Sequence, residues 1–402
     1  MNHNDAKIHH FLIALLFVAM LAGGFSLERL NPNYKSLGLF GQPRYWLLTI
    51  LVLCSTFALA NTNRAKSVLT SLNYAWLWVV EVTFLHVYIM ISFAWAPSHS
   101  GISANLLPII AIPVLLFIAY FLFQRWPEES IGYFLKLFFW TALVFTVAGL
   151  LGPGYWKEGG RLASFWGGPN VFIRIVATGF FGAVYLWVKT EHKYWLLPVP
   201  LLLAASILSG SRGGMLSLLA TFPLLIIAVI GRISKTSRAV LVGLFVVVIV
   251  FLLYPSILGL AQNRYFLDWS GLGEIFAKSR APWFEASFRA FGAQPFSGVG
   301  LNGLGVYGVN YSHNIILNIA SEGGIAGLIL TLIVFGSLIP RWFKPRTLEH
   351  NVALIVGIFY LLASMFSGTY YDWRFLWLFL FFYMLPDAAT QRQGMKQGMA
   401  QT

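Results

Sequence analysis

Long apolar runs recur along the whole chain and are separated by short polar segments. Each run is close to the roughly 20 apolar residues that a helix needs to cross a bilayer. Residues 241–253 read LVGLFVVVIVFLL and are apolar on every face, whereas a strand of a membrane barrel alternates apolar and polar positions. We therefore predict an all-α polytopic membrane protein with about twelve transmembrane helices, near residues 11–27, 45–60, 75–96, 105–124, 131–151, 170–188, 194–209, 214–230, 239–260, 314–340, 351–367 and 375–385.

The spacing of these runs divides the chain into four parts. Transmembrane helices 1 to 9 fall in residues 1–260, a long outer loop in 261–312, helices 10 to 12 in 313–390, and a short tail in 391–402. Cytoplasmic loops of membrane proteins carry an excess of Lys and Arg. With the N-terminus inside, the inner segments hold fourteen such residues and the short outer segments hold seven. The sequence thus predicts that both termini are cytoplasmic.

Composition agrees with a membrane protein and changes the meaning of the net charge. Hydrophobic residues make up 58% of the chain, charged residues only 10%, and the mean hydropathy is +0.73, whereas soluble proteins are about a quarter charged. The net charge of +13 would indicate nucleic-acid binding in a soluble chain, but here part of it orients the helices. Cys54 is the only cysteine, so intrachain disulfides and thiolate metal clusters are excluded.

The long outer loop shows two patterns. In residues 273–291 charged and aromatic residues interleave at helical spacing, which is typical of a helix lying at a membrane surface. Pro282 predicts two short helical pieces there, since proline interrupts a helix. Residues 298–308 (GVGLNGLGVYG) lack the Lys-Ser/Thr pair of a phosphate loop, and we interpret them as a flexible hinge.

Arginines on the outer side are the first candidates for chemistry, because charge near hydrocarbon is costly and is usually kept for function or pairing. Guanidinium groups form a planar donor fork that suits phosphate oxygens. The alternative is that such arginines reach lipid headgroups or pair with nearby acids. Arg212 favours the ligand, since it stands in a very short turn before two glycines that permit close backbone approach. The four candidates are Arg161, Arg174, Arg212 and Arg280.

His313 is the candidate base, because it stands where the long loop enters the tenth predicted helix, near the level of the arginines. Nearby cations would keep its imidazole neutral and able to accept a proton from a hydroxyl. Alone, such a histidine is as often a capping residue. Glu81 and Glu322 are single acids within predicted helices, and we find no motif for a metal ion.

Four segments resemble, in order and spacing, motifs of the bacterial O-antigen ligase and O-antigen polymerase superfamily. The most specific is the pattern HN-x-x-L-x-x-x-x-E-x-G-x-x-G, which begins at His313. The resemblance covers roughly residues 161–330, and the twelve-helix layout with one large outer loop extends it to the whole chain. The segments are RLASFWGGPN from Arg161, SGSRGG around Arg212, the stretch from Arg280 through PFSGVGLNGLG, and SHNIILNIASEGGIAGL.

The resemblance implies a GT-C-like architecture and an inverting glycosyl transfer that needs no metal, nucleotide sugar or other cofactor. Its donor would be a glycan on undecaprenyl diphosphate, used at the periplasmic face of the bacterial inner membrane, with membrane lipids around the protein and no nucleic acid as partner. His313 would be the general base, with Arg212 and Arg280 stabilising the diphosphate. The implied substrate-binding residues are Arg161, Arg174, Asn170, Ser211, Asn314 and Arg289.

The resemblance leaves the acceptor open. A ligase transfers the glycan to the lipid A core of lipopolysaccharide, and a polymerase transfers it to another lipid-linked repeat unit. Overall size and the single dominant outer loop favour the ligase. Two alternatives belong to other classes: a transporter or flippase of lipid-linked sugars, which would need an inverted repeat and binding groups at the midplane, and a scaffold for envelope assembly.

Overall fold

The protein folds as a bundle of helices. A computed structural model describes residues 3–24, 27, 41–60, 73–97, 102–152, 156–157, 160–163, 167–253, 272–344 and 346–387. Strands Trp156–Lys157 (β1) and Arg161–Leu162 (β2) pair in an antiparallel hairpin. The helices are α1 (His3–Leu21), α2 (Pro43–Ala60), α3 (Tyr74–Ile91), α4 (Ile102–Phe123), α5 (Pro127–Leu151), α6 (Pro169–Thr190), α7 (Val199–Leu208), α8 (Arg212–Val229), α9 (Lys235–Leu253), α10 (Leu272–Ala293), α11 (Ile315–Gly336), α12 (Ile339–Trp342), α13 (Leu348–Ser364) and α14 (Arg374–Met384).

This architecture confirms a helical, multi-pass membrane protein, and within the described residues a helix overlaps each of the twelve predicted positions, of which residues 25–26 and 254–260 lie outside the described residues. Within the described ranges, six helices are long and apolar enough to cross a membrane; these lie at Tyr74–Trp95, Leu106–Phe123, Pro127–Leu151, Pro169–Thr190, Arg212–Arg232 and Ile315–Trp342. The number of spans and their orientation therefore stay predictions.

Helices α6 and α14 form the centre of the bundle. Every residue of α14 is buried, and α6 packs closely along α5 because Gly179 and Gly182 face Ala142 and the carbonyl oxygen of Leu135. Helices α5 and α6 approach so closely at these glycines that a larger side chain would not fit, as in other small-residue contacts between membrane helices. The core that results holds the ends of α6, α8 and α11 in fixed positions.

The prediction of two short pieces around Pro282 is wrong. Helix α10 is continuous from Leu272 to Ala293, with Pro282 in its interior. Proline removes only one backbone hydrogen bond. The buried residues Ala286 and Ala290 pack the second half of α10 against the rest of the protein and offset that loss.

The interpretation of residues 298–308 as a flexible hinge is also wrong. The backbone N–H groups of Val299 and Gly300 donate to the carbonyl oxygens of Ser321 and Glu322 on α11, at 2.9 and 3.0 Å. Leu301 is fully buried. The glycines here allow the loop to lie directly on the backbone of α11, which makes it a docked part of the fold.

The docked loop lies against a break in α11. Gly324 has φ 63° and ψ −159°, a conformation that only glycine adopts readily. The break leaves the N–H groups of Ile325 and Ala326 without helical acceptors, and they donate to the carbonyl oxygens of Pro295 and Phe296 instead. At the break, α11 and the segment that includes the docked loop therefore provide hydrogen-bond partners for each other's backbone groups.

Candidate functional site

Several helix ends meet at one end of the bundle, around the turn between α13 and α14. The Asn314 side chain, just before α11, donates from Nδ2 to the carbonyl oxygen of Met365 at 3.2 Å. The Ser211 hydroxyl, just before α8, donates to Oδ1 of Asn170 in the first turn of α6 at 2.7 Å. These contacts bring the N-termini of α6, α8 and α11 together.

Arg212 is the first residue of α8. Ser211 caps this helix by accepting a hydrogen bond from the N–H of Gly214, and Gly213 lies directly against the side chain of Phe366. The Arg212 side chain is half-buried. The turn before it also receives Arg161, whose Nε donates to the carbonyl oxygen of Ser209 at 3.3 Å. Two arginines thus converge on the N-terminus of α8, where helix dipoles favour anions.

Arg280 contributes a third guanidinium from α10. Its Nη1 atom is buried and has no hydrogen-bond partner in the part of the chain that the structure describes. Burial lowers the pKa of Arg280, and the nearby charge of Arg161 lowers it further, while the phenol of Tyr311 acts in the opposite direction. A buried donor without a partner costs free energy, so this atom is placed to bind an anion that enters the site.

His313 lies beside Arg280. Its Nδ1 atom is also buried without a hydrogen-bond partner among the described residues. Burial lowers the pKa of His313 to about 4, and the charge of Arg280 contributes to this shift. The imidazole is therefore neutral at pH 7 and has a free lone pair, as a proton acceptor requires.

The backbone of His313 adopts an unusual conformation. Its φ of 58° lies in the left-handed region, which only a few per cent of residues other than glycine adopt, although histidine, asparagine and aspartate do so more often than most. The residues on both sides are held by hydrogen bonds: Ser312 N–H donates to Oδ1 of Asn318, and Asn314 Oδ1 accepts from the N–H groups of Ile316 and Leu317. Strain that the surrounding structure maintains in this way is characteristic of functional sites.

Aromatic rings surround the imidazole. Trp283 of α10 meets it edge to face, with ring centroids 5.3 Å apart. The Tyr311 ring is at 4.3 Å. Neither residue was predicted from the sequence, although Trp283 stands one helical turn after Arg280 and was a detectable signal.

Arg174 is more deeply buried than the other three candidate arginines, with only 5% of its surface exposed. Its Nη2 donates to the carbonyl oxygens of Ala363 and Ser367, at 3.0 and 2.8 Å, and Asp372 supplies a nearby negative charge. The guanidinium thus holds the α13–α14 turn beneath the site. Arg289, in contrast, is exposed on α10 and pairs with Glu285.

Glu322 belongs to the support of the site. Its Oε2 accepts hydrogen bonds from the Tyr370 hydroxyl at 2.7 Å and from Asn318 at 3.2 Å, and its Oε1 accepts from the N–H of Asn302 at 3.0 Å. The carboxylate therefore joins α11, the docked loop and the turn before α14. The sequence could not show this role, since two of the three partners lie in distant segments.

The arrangement combines the guanidinium groups of Arg161, Arg212 and Arg280 with one neutral imidazole. Among the described residues there is no group of three or more His, Cys, Asp or Glu side chains that could hold a metal ion. Guanidinium groups at a helix N-terminus bind phosphate oxygens, and a neutral imidazole accepts a proton. The site can therefore bind a phosphorylated substrate and deprotonate a hydroxyl.

Comparison with protein families matches residues 197–332 to the family described as O-antigen ligase. The matched region runs from just before α7 into α11, so it includes Arg212, Arg280 and His313. No curated protein matches the chain.

Proposed function

We propose that this chain, whose residues 197–332 match the O-antigen ligase family, transfers an O-antigen glycan from undecaprenyl diphosphate to a hydroxyl of the lipid A core. The reaction would take place at the periplasmic face of the inner membrane. The observation that carries the proposal is that Nη1 of Arg280 and Nδ1 of His313 are both buried without a hydrogen-bond partner among the described residues, and that the charge of Arg280 acts on the His313 imidazole.

In the proposed reaction the acceptor hydroxyl attacks the anomeric carbon of the donor glycan. The bond from that carbon to the diphosphate oxygen breaks, the configuration inverts, and the hydroxyl proton moves to the His313 imidazole. Arg212 and Arg280 stabilise the negative charge that develops on the departing diphosphate. Fixed cations in a partly dehydrated site do this efficiently, because they need no reorganisation.

The remaining candidate residues take supporting places in this proposal. Arg161 adds charge beside Arg212, and Asn170, Ser211 and Asn314 hold the three helix ends by the hydrogen bonds described above. Arg174 positions the α13–α14 turn. Arg289, which is exposed, lies at the rim, where its removal would change KM more than kcat.

A transfer assay tests the proposal. Purified protein in lipid nanodiscs is given undecaprenyl diphosphate glycan, a chelator, and either lipid A core or a second lipid-linked repeat unit as acceptor. We expect product with the lipid A core and a loss of about 100-fold or more in His313→Ala, by the usual size of general-base contributions. The matched control is His192→Ala, because His192 is exposed in the α6–α7 connection.

Two outcomes would overturn the assignment. Product with the repeat unit alone would make the protein a polymerase that uses the same residues. Undiminished transfer by His313→Ala would remove the assigned base. Arg280→Lys separates charge from geometry: we expect a loss of about tenfold or more, since lysine lacks the donor fork. Arg232→Lys, at an exposed position after α8, should transfer normally.

A further inference from the structure

A catalytic histidine is usually oriented by a hydrogen bond from its second ring nitrogen to a carboxylate or a carbonyl oxygen. In the described part of the chain, neither ring nitrogen of His313 makes such a bond, and Nδ1 is buried without a partner. Glu322, nine residues later, is occupied by Asn302, Asn318 and Tyr370. Something other than a hydrogen bond must therefore hold the imidazole.

The contacts of the ring identify what holds it. Trp283 packs edge to face at 5.3 Å and an interplanar angle of 78°. The Tyr311 ring packs on the imidazole as well, with ring centroids 4.3 Å apart and an interplanar angle of 58°. Aromatic rings in such tilted and edge-to-face geometries attract each other beyond the burial of their surface, and two such contacts leave the imidazole little freedom to rotate.

We propose that Tyr311 and Trp283 are positioning residues that clamp the His313 imidazole by aromatic packing, in place of a hydrogen-bonded carboxylate. This inference rests on the proposed role of His313 as the base. The clamp works with the left-handed backbone of His313, which sets where its side chain leaves the chain, and the two rings then fix the orientation of the imidazole.

The clamp also joins the base to the anion-binding group. Trp283 follows Arg280 by three residues on α10, so both side chains lie on the same face of that helix. Tyr311 lies within electrostatic range of Arg280 and of Asp372. A small movement of α10 would therefore displace the guanidinium and the imidazole together.

Substitutions of Tyr311 separate packing from hydroxyl chemistry. Tyr311→Phe keeps the ring and should retain most of the turnover, whereas Tyr311→Ala should lower kcat about tenfold with little change in KM for the donor. Trp283→Phe and Trp283→Ala should behave in the same way. The matched control is Tyr194→Ala, because Tyr194 stacks on His192 at the same spacing in the chain but outside the site.

A second readout does not depend on transfer. NMR titration of labelled histidines, with the His313 signal assigned from the His313→Gln spectrum, measures the pKa of this ring directly. Both alanine variants should raise the pKa of His313 from about 4 towards its ordinary value, because they admit water to the ring. The charged or titratable groups facing the ring are Arg280 from α10 and Tyr311 from its own segment, with Arg161 and Asp372 behind them.

The two readouts separate the possible failures. An unchanged His313 pKa together with full turnover in both alanine variants would overturn the clamp. A shifted pKa in a protein that transfers no glycan would leave the clamp standing and remove the proposed function. Loss of turnover in Tyr311→Phe equal to that in Tyr311→Ala would show that the hydroxyl, and not the packing, is required.

Discussion

His313 and Arg280 influence each other through charge, so binding of an anion between them must change both. In the free protein, burial and the Arg280 charge hold the pKa of His313 at about 4. A bound diphosphate offsets the Arg280 charge, and the pKa of His313 must then rise. The base becomes stronger when the donor is in place, which couples donor binding to deprotonation of the acceptor.

This coupling predicts the pH dependence of transfer. A histidine base works only when it is neutral, so activity is lost as the pH falls through its pKa. The acidic limb of kcat/KM for the donor reports the free protein, and that of kcat reports the donor complex. We expect the acidic limb of kcat to lie at a higher pH than the acidic limb of kcat/KM. The residual activity of His313→Ala serves as the control, since this variant retains ionisation of the donor but lacks the imidazole. Acidic limbs of kcat and kcat/KM at the same pH would contradict the coupling.

At the residue scale, the sequence indicated candidate side chains for the chemistry but not how they are held. Arg212 stands out in a turn of a few residues, and His313 stands at the start of a helix. Whether Arg174 faces the ligand or the α13–α14 turn depends on Ser367, which lies far along the chain. The clamp of Trp283 and Tyr311 around His313 is equally a property of tertiary packing.

At the scale of elements, the break in α11 explains why glycines follow Glu322. A Cβ atom at Gly324 would overlap the carbonyl oxygen of Phe296 and the backbone nitrogen of Gly298. The hydropathy of the segment predicts one straight helix, because the pattern of apolar residues contains no information about a single residue in a left-handed conformation. The triplet Glu322, Gly323 and Gly324 inside a span was the available signal.

The break predicts the effect of a small substitution. Gly324→Ala should lower stability by about 1 to 3 kcal/mol through backbone strain alone, with a further loss from the overlap, and should lower the Tm in detergent. Gly336→Ala at the end of the same helix is the matched control, since a Cβ atom there meets no atom within 4 Å. An equal Tm for the two variants would mean that the break is not required.

The Gly324→Ala variant also tests whether the docked loop supports the site. The loop lies on the break, and Glu322 joins it to Tyr370 and Asn318. We expect the surviving folded protein to transfer glycan more slowly than Gly336→Ala. Normal turnover in the folded fraction would show that the break serves stability only.

At the scale of the whole molecule, the sequence predicted the helices better than their assembly. An apolar run of about 20 residues is a local property and identifies a helix wherever it occurs. The convergence of the site is not local: Arg174 contacts Ser367 across 193 positions of the chain. Glycines at helix contacts, such as Gly179 against Ala142, determine that assembly, and composition does not reveal their partners.

Orientation in the membrane is the remaining prediction at this scale, and two glycines allow a matched test. Gly231, after α8, and Gly305, in the docked loop, are both exposed and have space for a side chain. The site end of α8 is its N-terminus, so Gly231 follows its opposite end. The excess of Lys and Arg on the inner segments predicts that the C-terminal end of α8, next to Gly231, faces the cytoplasm.

Replacement of the single cysteine by Cys54→Ser gives a background without thiols, to which Gly231→Cys or Gly305→Cys is added. A membrane-impermeant maleimide that passes the outer membrane should label Gly305→Cys in intact cells, and Gly231→Cys only after the inner membrane is opened. The Cys54→Ser parent must remain unlabelled and active. Labelling with the opposite sidedness would place the arginines and His313 at the cytoplasmic face, where a donor exposed to the periplasm could not reach them.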